Sequence, residues 1–86
     1  MDKKKILWQV YILKCADGSL YAGVTTDLKR RVAEHNSSQL GAKYTSGRRP
    51  VELVYCRSFA DRSSASKEEV RIKKMSRGEK LKLIQK

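Results

Sequence analysis

The chain has 86 residues, of which 40% are hydrophobic and 34% charged, enough apolar content for one folded domain over residues 1–86 with a modest core, which excludes a disordered tail. Twenty Lys and Arg against nine Asp and Glu give a formal net charge of +11. Such an excess points to a polyanionic partner, nucleic acid or an anionic membrane surface, although charge alone suits a ribosome-associated or merely soluble basic protein about as well.

In chain order, Asp2-Lys3-Lys4-Lys5 precedes Ile6-Leu7-Trp8, an apolar stretch too short for a signal-peptide core, and no later run approaches the roughly 20 residues of a membrane span. A cytoplasmic protein without a membrane role is expected. Residues 7–15, rich in Val, Ile, Leu and Tyr, predict a strand. Ala16-Asp17-Gly18 is a turn signal, and Ser19–Val24 forms the returning strand of a hairpin. Asp17-Gly18 alone suits a two-residue loop, and a three-residue loop with Gly18 in the left-handed region fits as well. An odd loop puts Tyr11 and Tyr21 on one side of the sheet and an even loop puts them on opposite sides. Gly23 sits inside a strand, where glycine weakens the element unless a neighbour must approach the backbone closely.

Thr26 or Asp27 can cap a helix running to about Asn36. On a wheel of about 100° per residue with Leu28 at zero, Val32 falls near +40°, His35 near −20° and Arg31 near −60°. Arg31 and His35 thus share the inward stripe, whereas Lys29, Arg30 and Glu34 point elsewhere. Snorkelling for Arg31 and a hydrogen-bonded core position for His35 are the ordinary explanations. Residues 37–49 form a loop, in which Lys43, Tyr44, Arg48 and Arg49 interleave cations with an aromatic, a pattern suited to phosphate contacts and base stacking. Pro50 introduces a third strand, Val51–Cys56. Cys15 and Cys56 have no metal-ligand spacing and are expected to be reduced, buried strand residues, a disulfide being disfavoured in the cytosol.

Asp61 or the Ser63-Ser64 pair starts a second helix that reaches about Met75. Measured from Ala65, Glu69 lies near +40°, Ile72 near −20° and Glu68 near −60°, so the wheel does not choose between the two carboxylates. An i,i+4 pair with Lys73 is the ordinary role for Glu69. Ser76 with Glu79 has the spacing of a capping box and predicts a third short helix with Leu81 and Ile84 inward. Lys73, Lys74 and further Lys and Arg to Lys86 give a solvated face that can extend a phosphate-binding surface.

The segments Gln9-Val10-Tyr11 and Tyr21-Ala22-Gly23, followed by Arg31, His35 and the set Ala65, Glu69, Ile72, resemble the GIY-YIG nuclease family. The stretch from Tyr21 to Asn36 is most similar to its small stand-alone bacterial members. The resemblance runs from Val10 to about Lys82. Gln9 stands where the family has its first glycine, Val10 and Ala22 stand where it has isoleucines, and the asparagine that many members carry after the metal-binding glutamate has no evident equivalent. The fold implied is α+β: a small, mainly antiparallel three-stranded sheet flanked by three helices. The resemblance requires the tyrosines to converge, hence an odd hairpin loop, and it selects Glu69 over Glu68. It implies a metal-dependent endonuclease acting on DNA, with Glu69 binding one Mg²⁺ or Mn²⁺, Arg31 holding the phosphate and Tyr11 serving as base or relay. Tyr21 would orient water or phosphate, and His35 would assist proton transfer or hold Tyr11. A tyrosine of ordinary pKa, about 10, needs nearby positive charge for that task, which Arg31, His35 and the metal would supply. Gly23 would let substrate or the first helix approach. Without an accessory DNA-binding domain, cleavage is expected to need a partner protein, and a non-catalytic nucleic-acid-binding module with the same fold is the alternative. No Walker-type phosphate loop is present, and a single histidine cannot build a His-His zinc site.

Overall fold

A computed structural model describes residues 6–37, 45 and 47–85. The elements in order are β1 (Trp8–Lys14), β2 (Leu20–Thr25), α1 (Leu28–Ser37), β3 (Glu52–Phe59), α2 (Arg62–Lys73) and α3 (Arg77–Ile84). The sheet has the order β2-β1-β3, and both pairings are antiparallel.

Helices cover both faces of the central strand, which explains why β1 is a continuous apolar run instead of an alternating one. Val10, Tyr11, Ile12 and Leu13 are all buried. Val10 and Ile12 face one side, where they meet Ala22 of β2 and Ala65 and Ile72 of α2. Tyr11, Leu13 and Cys15 face the other, joined by Val51, Tyr21 and the α1 residues Leu28 and Val32. The site residues of β1, β2 and α1 therefore belong to the layer opposite most of α2.

The hairpin loop has three residues. Cys15 N–H donates to Ser19 O at 2.8 Å, and Gly18 N–H donates back to Cys15 O at 2.9 Å. Gly18 takes φ of +85°, the left-handed region in which glycine is favoured. Asp17 accepts from the Ser19 backbone N–H at 3.0 Å and from its hydroxyl at 2.6 Å, holding the turn. The resulting register pairs Tyr11 with Gly23 and Leu13 with Tyr21, so both tyrosines project from one side of the sheet.

Asp27 accepts from Arg30 N–H at 3.2 Å and caps α1. Asp61 caps α2, and Ser76 with Glu79 forms the complete capping box of α3. Three expectations are corrected. β3 extends three residues beyond Cys56, because Arg57, Ser58 and Phe59 continue the ladder with β1. Cys56 is exposed, since it lies on an edge strand; Cys15 alone is buried, and both are free thiols. In α3 the inward pair is Leu83 and Ile84, whereas Leu81 is 38% exposed, because the short helix turns its 80/83/84 stripe toward the sheet.

Candidate active site

Tyr11 is the centre of the arrangement. Its ring leaves the central strand and lies across Gly23 of the edge strand, with Gly23 so close that a Cβ there would collide with the phenol. Glycine is needed at this point for a specific neighbour, the Tyr11 ring. The Tyr11 hydroxyl meets His35 Nε2 at 3.0 Å, and His35 Nδ1 meets Thr45 Oγ1 at 2.9 Å. All three side chains are buried: Tyr11 is 1% exposed, His35 and Thr45 0%. Tyr21 packs edge-on against the His35 ring with centroids 5.3 Å apart, and Tyr11 does the same at 5.9 Å.

Arg31, one helical turn before His35, hydrogen-bonds the Tyr11 hydroxyl. Its Nη1 also donates to Glu34 Oε1 at 2.9 Å. Glu34, which the wheel turned away from the stripe, is the half-buried partner that steadies Arg31, reached because i,i+3 residues are neighbours on a helix. The convergence on Tyr11 thus includes Tyr21, Arg31 and His35, as the sequence pattern anticipated.

The electrostatics differ from the expectation. Burial pushes the Tyr11 phenol above its ordinary 10.0; the Arg31 hydrogen bond opposes this, while Tyr21 and the Glu69 carboxylate reinforce it. His35 does not supply positive charge: burial, then Arg31 and Arg49, hold it below its ordinary 6.5, so it is neutral near pH 7. Desolvation of two adjacent groups outweighs a single guanidinium. Tyr11 is therefore a neutral phenol hydrogen-bonded to a neutral imidazole.

The two carboxylates of α2 have separate tasks. Glu68, 8% exposed, turns to the face opposite Tyr11. It accepts from Arg71 Nε at 2.8 Å and Nη2 at 2.6 Å, and lies 3.8 Å from Arg57 Nη1. Glu69 lies at the border of the two layers with its side chain 23% exposed, paired with Lys73 Nζ at 3.0 Å, and its field reaches Tyr11. The wheel drawn from Ala65 placed Glu69 further inward than it lies. The chemistry of Glu69 suits a hard divalent ion: one accessible carboxylate, with Lys73 on a flexible stem that can swing away. Among the described residues no three His, Cys, Asp or Glu side chains converge, so phosphate and water oxygens would complete any coordination shell at Glu69.

The basic loop has a structural role alongside any contact with nucleic acid. Arg48 Nε donates to Asp17 Oδ2 at 3.0 Å, and Arg49 Nε donates to the His35 carbonyl at 2.7 Å. Lys43 and Tyr44 lie outside the described residues. Lys73 and Lys74 end α2, Lys74 as its exposed C-cap. Sequence reasoning missed Thr45 and Asn36. The Asn36 side chain donates to Val51 O at 3.0 Å and accepts from Val51 N–H at 2.6 Å, bolting the end of α1 to the start of β3. Both belong to segments that carry turn chemistry in their composition, and neither had a periodic signal.

A hairpin presenting two tyrosines, followed by a helix presenting arginine and histidine to them, defines a domain of the nuclease type. The family model of the GIY-YIG catalytic domain matches residues 7–82, and the chain belongs to that family. It is 56% identical over 77 residues to a UPF0213 protein of Desulfotalea psychrophila, covering 90% of this chain and 70% of that one. A UPF0213 protein of Staphylococcus saprophyticus is 54% identical over 84 residues, 98% of this chain and 96% of the relative. Among solved structures, the solution NMR structure of a UPF0213 protein from Bacillus halodurans matches with 44% identity and a TM-score of 0.60 over 92% of this chain and 83% of that chain. A solution NMR structure of a protein from E. faecalis matches with 46% identity and a TM-score of 0.61, over 93% and 83% of the two chains.

Proposed function

We propose that this protein is a divalent-metal-dependent endonuclease that hydrolyses phosphodiester bonds of DNA. The observation that carries the reading is the convergence of Arg31, His35 and Tyr21 on the buried Tyr11 hydroxyl, with Glu69 close enough to act on its charge. A Mg²⁺ or Mn²⁺ ion held by Glu69 supplies Lewis-acid stabilisation of charge on the phosphate. Arg31, fixed by Glu34, orients the phosphate oxygens and opposes the negative charge that grows on them in the transition state. Tyr11 takes a proton from the attacking water, and His35 Nε2, at 3.0 Å, is placed to receive the proton that Tyr11 gives up. Tyr21 packs against His35 and orients the water or the phosphate.

The excess of cations supplies affinity through the DNA backbone, without sequence preference. Arg48, Arg49, Lys73 and Lys74 contribute to that surface, and Lys43 and Tyr44 extend it. Among the described residues no helix is long and apolar enough to cross a membrane; with this charge, a cytoplasmic nucleic-acid enzyme is the assignment we favour. Selectivity for branched DNA and the need for an accessory protein belong to the same proposal. A non-catalytic DNA-binding module is the second reading. The Glu69–Lys73 ion pair and the raised Tyr11 pKa favour it, since both describe a resting site.

Cleavage of linear, flapped and four-way-junction DNA, with and without Mg²⁺ or Mn²⁺, separates the two. Metal-dependent nicking of any form supports the enzyme. Binding to all forms with no cleavage by the protein, alone or with host-cell extract added, supports the module.

A further inference from the structure

We propose that Thr45 sets the tautomer of His35: its Oγ1 accepts from Nδ1–H, which leaves Nε2 bare as the acceptor for the Tyr11 hydroxyl proton. The tautomer stands on geometry alone, and only its catalytic consequence rests on the endonuclease reading. His35 is fully buried and both ring nitrogens are engaged, Nε2 with Tyr11 Oη at 3.0 Å and Nδ1 with Thr45 Oγ1 at 2.9 Å. A neutral imidazole carries one N–H, and hydroxyls at both ends can donate or accept, so the two distances alone permit either tautomer.

Arg31 breaks the symmetry. A guanidinium can only donate, and it hydrogen-bonds the Tyr11 oxygen. A phenol oxygen already receiving that N–H keeps its own proton to give away, and His35 Nε2 is the acceptor in reach. The single ring proton then belongs on Nδ1, with Thr45 accepting it. In water an imidazole side chain prefers the proton on Nε2, so the site acts against the intrinsic preference. Thr45 is held to this task by the hairpin. Arg48 N–H donates to Thr45 O at 3.0 Å, Ala16 N–H donates to Arg48 O at 2.9 Å, and Arg48 Nε reaches Asp17 at 3.0 Å. The same loop grips the His35 carbonyl through Arg49.

The consequence is a two-proton relay. As the water oxygen bonds to phosphorus and the bond from phosphorus to the leaving oxygen breaks, a water proton moves to Tyr11 Oη and the Tyr11 proton moves to His35 Nε2. His35 becomes an imidazolium whose Nδ1–H still points at Thr45. After product departs, the proton returns through Tyr11 to solvent. With the opposite tautomer Nε2 already carries hydrogen and Tyr11 has nowhere to pass its proton. Thr45 is a positioning residue in this scheme.

His35 is the only histidine of the chain, so nitrogen NMR of the labelled full-length protein reports one ring. Wild type at neutral pH is expected to show protonated Nδ1 and bare Nε2. Thr45→Val keeps the shape, removes the acceptor and should move the ring proton to Nε2; Thr45→Ser should behave as wild type. In cleavage, Thr45→Val should lower kcat by about 10–100-fold with KM little changed, the effect of losing a partner that fixes a histidine tautomer, and Thr45→Ser should restore it. Protonated Nε2 in wild type, or an unchanged ring in Thr45→Val, overturns the proposal. If Thr45→Val does not fold, wild type and Thr45→Ser decide by the same criterion. The expected tautomers without any DNA cleavage support the assignment and overturn the endonuclease reading instead.

Discussion

Replacing Gly23 with alanine adds one methyl group at the point where the Tyr11 ring crosses β2. The new Cβ would stand 2.6 Å from Tyr11 Cζ and 3.1 Å from Cε2, with the hydroxyl oxygen nearer still. Ordinary contact begins at 3.4 Å, so ring or strand must yield by about 0.8–1 Å in a densely packed layer. The ring is 1% exposed and anchored through its hydroxyl, so it cannot swing away cheaply. A retreat of that size stretches the 3.0 Å bond to His35 past the useful limit of about 3.5 Å. Overpacking of this kind costs about 1–3 kcal/mol. An alanine in an ordinary strand would instead gain about 0.5–1 kcal/mol over glycine. The net loss is therefore about 1–2 kcal/mol, a fall in Tm of roughly 5–15 °C for a domain of this size. Thermal and urea unfolding of Gly23→Ala measure it, and a double-mutant cycle with Tyr11→Leu isolates the cause, because without the phenol the methyl group should be tolerated. A Gly23→Ala protein as stable as wild type, or more stable, would refute the placement of Tyr11.

Three further outcomes are expected. Glu68→Gln should destabilise the fold by about 1–3 kcal/mol, between the limits for exposed and buried pairs, with little change in cleavage by the folded fraction. Because Arg71 holds Glu68 below its ordinary 4.5, the contribution is complete above that value and vanishes as pH falls through the lower folded pKa; acid unfolding of Glu68→Gln should show a shallower loss there. His35 is likewise depressed from 6.5, chiefly by burial, so the unfolded chain binds the extra proton first and stability begins to fall as pH drops below about 6.5, a slope that pH-dependent urea unfolding should find missing in His35→Gln. Arg48→Ala with Arg49→Ala should weaken DNA of different sequences alike and lower the salt slope of binding by about 1–2. It should lower kcat further than binding, because Asp17 and the His35 carbonyl also lose their partners.

The local code of this chain was legible where one residue type dictates one geometry. Asp17-Gly18 supplied the turn, Ser76 with Glu79 the capping box, and the spacing of Leu28, Arg31, Val32 and His35 the inward face of α1. The two-sided burial of β1 was not visible as alternation, because helices cover both faces. The rank of Glu68 and Glu69 escaped the wheel, since both lie within about 100° of the same stripe and the packing of α2 against β1 and β2 decides which turns inward. Thr45 and Asn36 act through contacts with distant backbone and ring atoms, and nothing in their neighbours' periodicity encodes a partner 10 or 15 residues away. The Tyr11 environment was misjudged because a motif names the cation beside the phenol and omits the desolvation around it.

Single-turnover cleavage of DNA with Mn²⁺, measured beside equilibrium binding for wild type, Arg31→Ala and Glu69→Gln, is the most direct test of the endonuclease assignment. Arg31 and Glu69 act on charge that develops in the transition state, whereas a surface carrying +11 sets ground-state affinity. Each substitution should lower the cleavage rate by about 10²–10³ and leave affinity for DNA within a few-fold, with Glu69→Gln binding as well as wild type or better. Absence of cleavage by wild type on every DNA form, or a Glu69→Gln protein that cleaves as fast as wild type, would contradict the account.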